Sequence, residues 1–261
     1  KWILTRLSVT ITAVDRLMDN YQYGEAGRQA YDFIWGDFAD WYVELAKVQM
    51  RGGGAMAWTT LSVLRKVLDD SLRLLHPFIP FVTEETWQQL KAACVESGIG
   101  IAPDEGWADA LIIADWPTAG EQYTTEAADF ELLREMVRGI RAARAENGVE
   151  PGKWITASIS AGEKLDFLTA QRSILCALAR LSDDELILEK TAVSPDSALT
   201  LSYSGVVCYL PLAGMVDLDK EKARLEKELA NLKGQIARIT GLLASPFGQK
   251  APAAVVQKER D

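Results

Sequence analysis

Apolar residues recur at steps of three and four through the first ninety-five positions. Ile3, Leu7, Ile11, Val14 and Met18 make one stripe, the spacing of a helix with a single buried face. In YQYGEAGRQAYDFIWGDFADWYVELAK the pattern returns with unusual aromatic weight at Phe33, Phe38, Trp41 and Tyr42, closing on Leu45. The glycine run in RGGGAM predicts a loop, because glycine ends helices and opens turns. Leu61, Leu64, Leu68, Leu72 and Leu75 then mark a third helix.

LRLLHPFIPFVTEETW, residues 72–87, interrupts an apolar passage with two prolines. Pro77 biases His76 away from helical backbone, which predicts that the third helix stops near His76. Pro80 opens the next element, and Thr83 with Glu84 and Glu85 supplies cap-like chemistry ahead of Trp87 and Leu90. The stretch reads as a buried elbow between two helices, and His76 as a satisfied elbow residue rather than a catalyst. Residues 97–120, rich in glycine and proline, read as loop. A long helix follows from about Glu126 to Asn147, with Phe130, Leu133, Val137 and Ile140 inward and Gly148 ending it.

The period changes after residue 150. KWITASISA, ELILEK, ALTLSY and VVCYLPL read as strands, and Leu165 to Leu181 as a helix. Beyond them Leu218, Leu225, Leu232 and Ile239 stand seven apart, with Lys222, Leu229, Ile236 and Leu243 four residues after each. That is the seam of a coiled coil. Gly241 and SPFGQKAP predict a turn, and AAVVQKERD the start of a second helix. The expected fold is mainly α: a helical bundle over 1–150, a small α+β unit over 151–215, and a coiled-coil arm over 216–261.

With 48% hydrophobic and 25% charged residues, the composition is that of a globular chain. No apolar run approaches the roughly 18 residues that suggest a membrane span. The first residue is not Met and the helical pattern is already under way, which predicts a piece of a longer protein. Three scattered cysteines, Cys94, Cys176 and Cys208, favour a reducing cytoplasm over a disulfide framework. The net charge of −9 argues against a generally basic nucleic-acid binder and leaves room for local basic stripes.

One histidine cannot build a multi-histidine metal site, and no Gly-x-Ser-x-Gly, P-loop or dinucleotide-binding fingerprint is present. Neither catalytic nor metal-ligating residues are therefore expected. Basic patterns are better supported. Arg134, Arg138, Arg141 and Arg144 lie at helical spacing in LLREMVRGIRAARAENG, forming either a solvated ridge or a phosphate contact. Residues 220–250 hold seven cations against three anions, a local surplus of four positive charges in an acidic chain. That offset points to an anionic partner.

YDFIWGDFADWYVELAK, LRLLHPFIPFVTEETWQQL, the Asp115-Trp116-Pro117 triplet, IRAARAENGVEPGK, GMVDLDKEKARLEKEL and SPFGQKAPAAVVQKERD together resemble, in order, the C-terminal region of the valyl-tRNA synthetase family of class I aminoacyl-tRNA synthetases. The resemblance covers essentially the whole chain. It implies an anticodon-binding bundle, a junction unit, and an arm that reaches the tRNA corner where the D and T loops meet. The family's ATP sites, a His-Ile-Gly-His motif and a Lys-Met-Ser-Lys-Ser loop, do not occur here, since His76 is followed by Pro77. ATP, with Mg, is therefore expected only in a catalytic domain outside this chain, and no cofactor within it. The chain alone is expected to bind tRNA-Val without aminoacylating it.

By residue type and position near the first loops, Tyr21, Tyr23, Arg28, Lys47, Arg51, Arg65 and Lys66 are the candidate anticodon contacts. Single-stranded bases stack on aromatic and guanidinium planes. Trp35, Phe38 and Trp41 match the family motif, and most of them are expected in the core rather than stacked on bases. Arg138, Arg141 and Arg144 are candidates on the ridge, and Lys220, Lys222, Arg224, Lys227, Lys233 and Arg238 on the arm. The partner is tRNA-Val with no membrane, and the parent enzyme is expected to be monomeric and cytoplasmic. An exposed leucine seam favours self-association of this chain, so a helical protein-interaction module with a dimerising coiled coil is the rival reading. A stand-alone enzyme with a hidden site is the weaker rival.

Overall fold

A computed structural model describes residues 1–97, 102–103, 106–212 and 218–244, with arm side chains described at 226–240. Helix α1 (Trp2–Asp19) buries Ile3, Leu7, Ile11 and Val14, the expected stripe. Helix α2 (Tyr23–Asp32) runs into a ten-residue π-helix, Phe33–Tyr42, which continues as α3 (Val43–Met50). In a π-helix each N–H reaches five residues back, so every turn holds one residue more than an α-helix. The aromatic passage uses that wider turn to place Phe33, Asp37, Phe38, Trp41 and Tyr42 all on the buried side. A glycine turn with positive φ at Gly53 and Gly54 leads into α4 (Gly54–Leu75).

The far half of α4 is buried on every side. Asp69, Asp70 and Arg73 are buried along with Leu72, Leu74 and Leu75. Asp69 accepts hydrogen bonds from Arg73 Nε (3.0 Å) and from Trp87 Nε1 (2.7 Å). Arg73 Nη1 in turn donates to the Asp115 carbonyl at 2.7 Å, fastening the long loop to the bundle. Trp87 sits on α5 (Pro80–Glu96) and is fully buried.

The elbow between α4 and α5 differs from expectation in three respects. His76 keeps helical backbone (φ −56°, ψ −41°) despite Pro77. A tightened last turn, His76 N to Arg73 O, takes up the carbonyl that proline cannot use. The chain leaves helical backbone at Ile79 (φ −137°), before Pro80. Thr83 is not a cap: Pro80 occupies the first helical position, so Thr83 lies a turn inside and its hydroxyl meets the Ile79 carbonyl and His76 Nδ1. Nor is the elbow buried. Phe81 is 90% exposed, with Ile79 and Val82 exposed beside it. His76 is a satisfied elbow residue, as expected.

Helix α6 (Thr124–Glu146) buries Phe130, Leu133, Val137 and Ile140 and ends at Gly148 with positive φ. A four-stranded sheet follows in the order β2-β1-β4-β3, from β1 (Ser158–Ser160), β2 (Ile187–Glu189), β3 (Ala198–Tyr203) and β4 (Val206–Pro211). β1 pairs parallel with β2 and antiparallel with β4, and β3 and β4 form a hairpin through Gly205 (φ 75°). The single helix expected over 165–181 is two: α7 (Leu165–Ala170) and α8 (Arg172–Ala179), broken at Gln171. One apolar cluster runs from Trp2 through α6 to Leu210, so bundle and sheet share a core.

A 27-residue helix, Leu218–Ala244, forms the arm. Leu229, Leu232 and Ile236 of its seam are exposed. The turn and second helix expected after Gly241 lie outside the described residues from 245 onward.

Two outcomes follow from this packing. Asp69→Ala strips a buried acceptor from Arg73 and Trp87, and urea denaturation should show a loss of about 3–5 kcal/mol. Burial pushes the Cys208 thiol up to about 12. Burial, with Asp183 alongside, pushes Cys176 to about 11. Near pH 8 both stay protonated, so iodoacetamide should label partly exposed Cys94 first and the other two only on unfolding.

Candidate nucleic-acid interface

The turn between α1 and α2 places the first two expected contacts. Gln22 N donates to Leu17 O and Tyr21 N to Met18 O, the double bond of a Schellman helix end. Tyr21 holds the left-handed position of that motif (φ 59°), where glycine is the usual residue. A side chain there costs about 1 kcal/mol or more, yet the ring is 80% exposed and has no core to fill. It meets Tyr23 edge-on, ring centres 6.2 Å apart.

Two more rings extend this surface. Tyr31 and Trp35 lie 6.0 Å apart, both more than half exposed. Tyr23, Gly27 and Tyr31 are four residues apart and share one row of α2. The Phe78 ring fills the gap over Gly27, where an added Cβ would stand 3.0 Å away. The exposed elbow is therefore seated on the same row. Trp35, expected in the core with Phe38 and Trp41, is outside it, because the wide π-turn carries alternate aromatics to opposite sides.

A groove of about 370 Å³ beside the elbow is lined by Arg73, His76, Pro77, Pro80, Ile112 and Trp116. Trp116 Nε1 donates to Asp15 at 2.7 Å, which fixes the indole at the rim. His76 Nδ1 is engaged with the Thr83 hydroxyl, which also donates to backbone carbonyls of the elbow. Among the described residues no cluster of histidine, cysteine or carboxylate could hold a metal.

The expected cations divide sharply. Arg28 is held by Glu25 (2.5 Å) and Asp32 (3.1 Å), Lys47 by Glu44 (2.5 Å), and Lys66 by Asp70 (2.9 Å). Each spends its charge on a neighbour on its own stretch of helix. Arg65 is mostly buried and turned to Asp69 at 3.4 Å, so it is not offered to a ligand. Arg51 is exposed in the turn after α3.

On α6, Arg134, Arg138 and Arg141 place their guanidinium carbons 4.8, 5.2 and 5.8 Å from the Trp41 ring centre. Arg134 is buried and bridged to Asp37 (3.0 Å) and Glu131 (2.8 Å). Arg144 is also a correction to the ridge, being buried and donating to the carbonyls of Glu150, Lys153 and Arg180. Its helical position puts it on the core side with Val137 and Ile140. Burial, and the Arg180 guanidinium nearby, lower its pKa.

On the arm, Lys227, Lys233 and Arg238 are exposed. Eleven residues is just over three full turns, so Lys227 and Arg238 share a face about 16 Å apart. That face lies opposite the seam of Leu229, Leu232 and Ile236. Lys220, Lys222 and Arg224 belong to the same helix, but their side chains lie outside the described ones.

An exposed aromatic row beside an apolar elbow, and a helix bearing exposed cations, are features that suit contact with RNA. Residues 1–159 match the family model of the anticodon-binding domain of tRNA ligases, and the chain belongs to that family. Residues 217–261 match the valyl tRNA synthetase tRNA-binding arm, which narrows the kinship to the valine enzymes as the sequence resemblance implies. The chain is 45% identical to the valine–tRNA ligase of Bacillus cereus over 266 aligned positions, covering all of this chain and 28% of that protein. It is 45% identical to that of Halalkalibacterium halodurans and 39% to that of Enterococcus faecalis, again over all of this chain and 28% of each relative. No described helix is long and apolar enough to cross a membrane.

Trp41 and Trp35, six residues apart, should respond oppositely to truncation. Trp41→Ala empties a buried site beneath three arginines and should cost about 3–5 kcal/mol in thermal or urea unfolding. Trp35→Ala removes an exposed ring and should change stability by about 0.5 kcal/mol or less.

Proposed function

We infer that this chain is the tRNA-gripping part of a valine–tRNA ligase. Its bundle receives the anticodon of tRNA-Val, and its arm receives the outer corner of the same molecule. The longer protein, working in the cytoplasm, attaches valine to that tRNA using ATP with Mg in a domain outside this chain. The chain by itself binds tRNA and does not charge it.

The observation that carries the reading is the row of exposed rings Tyr21, Tyr23, Tyr31 and Trp35. Unstacked bases gain about 1–3 kcal/mol each from such rings. Arg51 stands unpaired among the described residues of the bundle, able to meet a phosphate. On the arm, Lys227, Lys233 and Arg238 suit backbone contacts that position the RNA without reading its sequence.

The exposed seam favours a second property. Leu229, Leu232 and Ile236 leave an apolar strip uncovered, which supports weak self-association of this chain alongside RNA binding.

Titration of transcribed tRNA-Val tests the assignment. The wild-type chain should bind tRNA-Val more tightly than a tRNA with a different anticodon. Lys227→Glu with Arg238→Glu should weaken binding of both RNAs and flatten the dependence on salt by about one unit for each phosphate no longer neutralised. Unchanged affinity and slope in the double variant would remove the arm from the interface. No binding of any tRNA by the wild type would leave the protein-interaction module as the better reading.

A further inference from the structure

We propose that Arg138, Arg141, Lys153 and Arg180, framed by the indoles of Trp41 and Trp154, form a separate phosphate-binding surface for the backbone of double-helical RNA. The proposal rests on the tRNA reading above and adds a third contact, on the part of the chain between bundle and arm.

The four cations come from three segments that the fold draws together. Arg138 and Arg141 are on α6, Lys153 is in the loop after Gly148, and Arg180 caps α8. Buried Arg144 is the pin: one guanidinium nitrogen donates to the Lys153 carbonyl at 2.7 Å and another to the Arg180 carbonyl at 3.3 Å. Arg141 Nε adds a bond to the Leu178 carbonyl at 2.9 Å, holding α8 against α6. All four cationic side chains are exposed.

Their charge is not spent. No described carboxylate forms an ion pair with Arg138, Arg141, Lys153 or Arg180, although the chain as a whole carries −9. Arg28, Lys47 and Lys66 show the opposite habit, each held by an acid three or four residues away. Like charges gathered without acids raise the local potential.

The backbone at Arg180 points the same way. Leu181 N donates to Cys176 O in a Schellman end, and Arg180 takes its left-handed position (φ 58°, ψ 50°). Glycine would sit there without strain, whereas arginine costs about 1 kcal/mol or more. In return the turn aims a guanidinium over the Trp154 ring, 5.4 Å from its centre. Trp41 holds Arg138 and Arg141 in the same way. A guanidinium resting on an indole is already ordered, so less freedom is lost when its fork meets phosphate oxygens.

The chemistry favours backbone over bases. Trp41 is 7% exposed, and Trp154, half exposed, carries the Arg180 guanidinium over its ring. The four exposed cations of the patch suit charge spaced along a duplex. An RNA held by its loop at the bundle and by its corner at the arm has a stem between those points.

The test uses the 261-residue chain and two probes: transcribed tRNA-Val, and its anticodon stem-loop with a substituted anticodon. Arg138→Ala and Arg180→Ala should each weaken binding of both probes a few-fold and flatten the salt dependence by about one unit. Arg138→Glu with Arg180→Glu should weaken it tenfold or more. Arg180→Lys, which keeps the charge, should recover most of the loss, and Lys190→Ala, outside the patch, should change nothing. Circular dichroism melts separate these effects from misfolding, and the Ala and Lys variants keep the comparison usable if the Glu pair fails to fold. If the wild type binds tRNA and the Ala variants match it in affinity and salt slope, the patch does not touch RNA and the tRNA reading survives. If the wild type binds no tRNA, both fall.

Discussion

Asp37 holds the molecule together where its three longest-range pieces meet. It sits in the π-helix, buried, and receives Arg6 of α1 at 2.7 Å and Arg134 of α6 at 3.0 Å. Arg134 then lies between two indoles, 4.9 Å from Trp2 and 4.8 Å from Trp41. A buried guanidinium without its acid is strongly destabilising, by about 3–5 kcal/mol, while the pair itself adds little net stability. The bridge therefore works as a specification of geometry. It sets the rotation of α6 about its own axis, and that rotation decides which of its arginines face the core and which face solvent.

The same rotation explains how an acidic protein can hold RNA. Arg134 and Arg144 are taken inward, one to a carboxylate and one to carbonyls. Arg138 and Arg141, at the next positions of the stripe, stay outside over an indole, with Arg141 also donating to the Leu178 carbonyl. Near the exposed rings, Arg28, Lys47 and Lys66 are matched with acids on their own helices, which leaves the aromatic row as the attractive feature there. On the proposed reading, charge is concentrated where backbone would be met and damped where bases would be stacked. A uniformly basic surface would bind any polyanion; this division favours an RNA that offers a loop and a stem in fixed relation.

The sequence was legible wherever periodicity had one meaning. The stripes of α1 and α6, the glycine turn at 52–54 and the β3–β4 hairpin appear where the apolar spacing puts them. The misses share a cause, which is geometry that spacing does not encode. A run such as FIWGDFADWY reads as a buried helix face, but a π-turn shifts the register and turns Trp35 out. The elbow reads as core because it is apolar, yet Phe81 is its most exposed large side chain. Arg144 reads as one more ridge cation, and only the carbonyls brought near it by α8 and the following loop show that it is internal. Arg180 and Trp154 were invisible for the same reason: twenty-six residues apart, they meet only once the loop and the α8 cap are folded.

Two of the described non-glycine residues with positive φ, Tyr21 and Arg180, occupy the same kind of position, the left-handed end of a Schellman turn. Stability alone would place glycine at both, since neither side chain fills a cavity or satisfies a buried group. Each instead lifts a recognition-type side chain clear of the surface, an aromatic ring on the bundle and a guanidinium at the junction. Strain kept at an exposed residue with no packing role is best explained by what that residue does outside the fold. On that argument the two positive-φ residues support the proposed base-stacking end and phosphate-holding middle independently of charge counting, since an aromatic ring and a guanidinium are the side chains RNA contact would use.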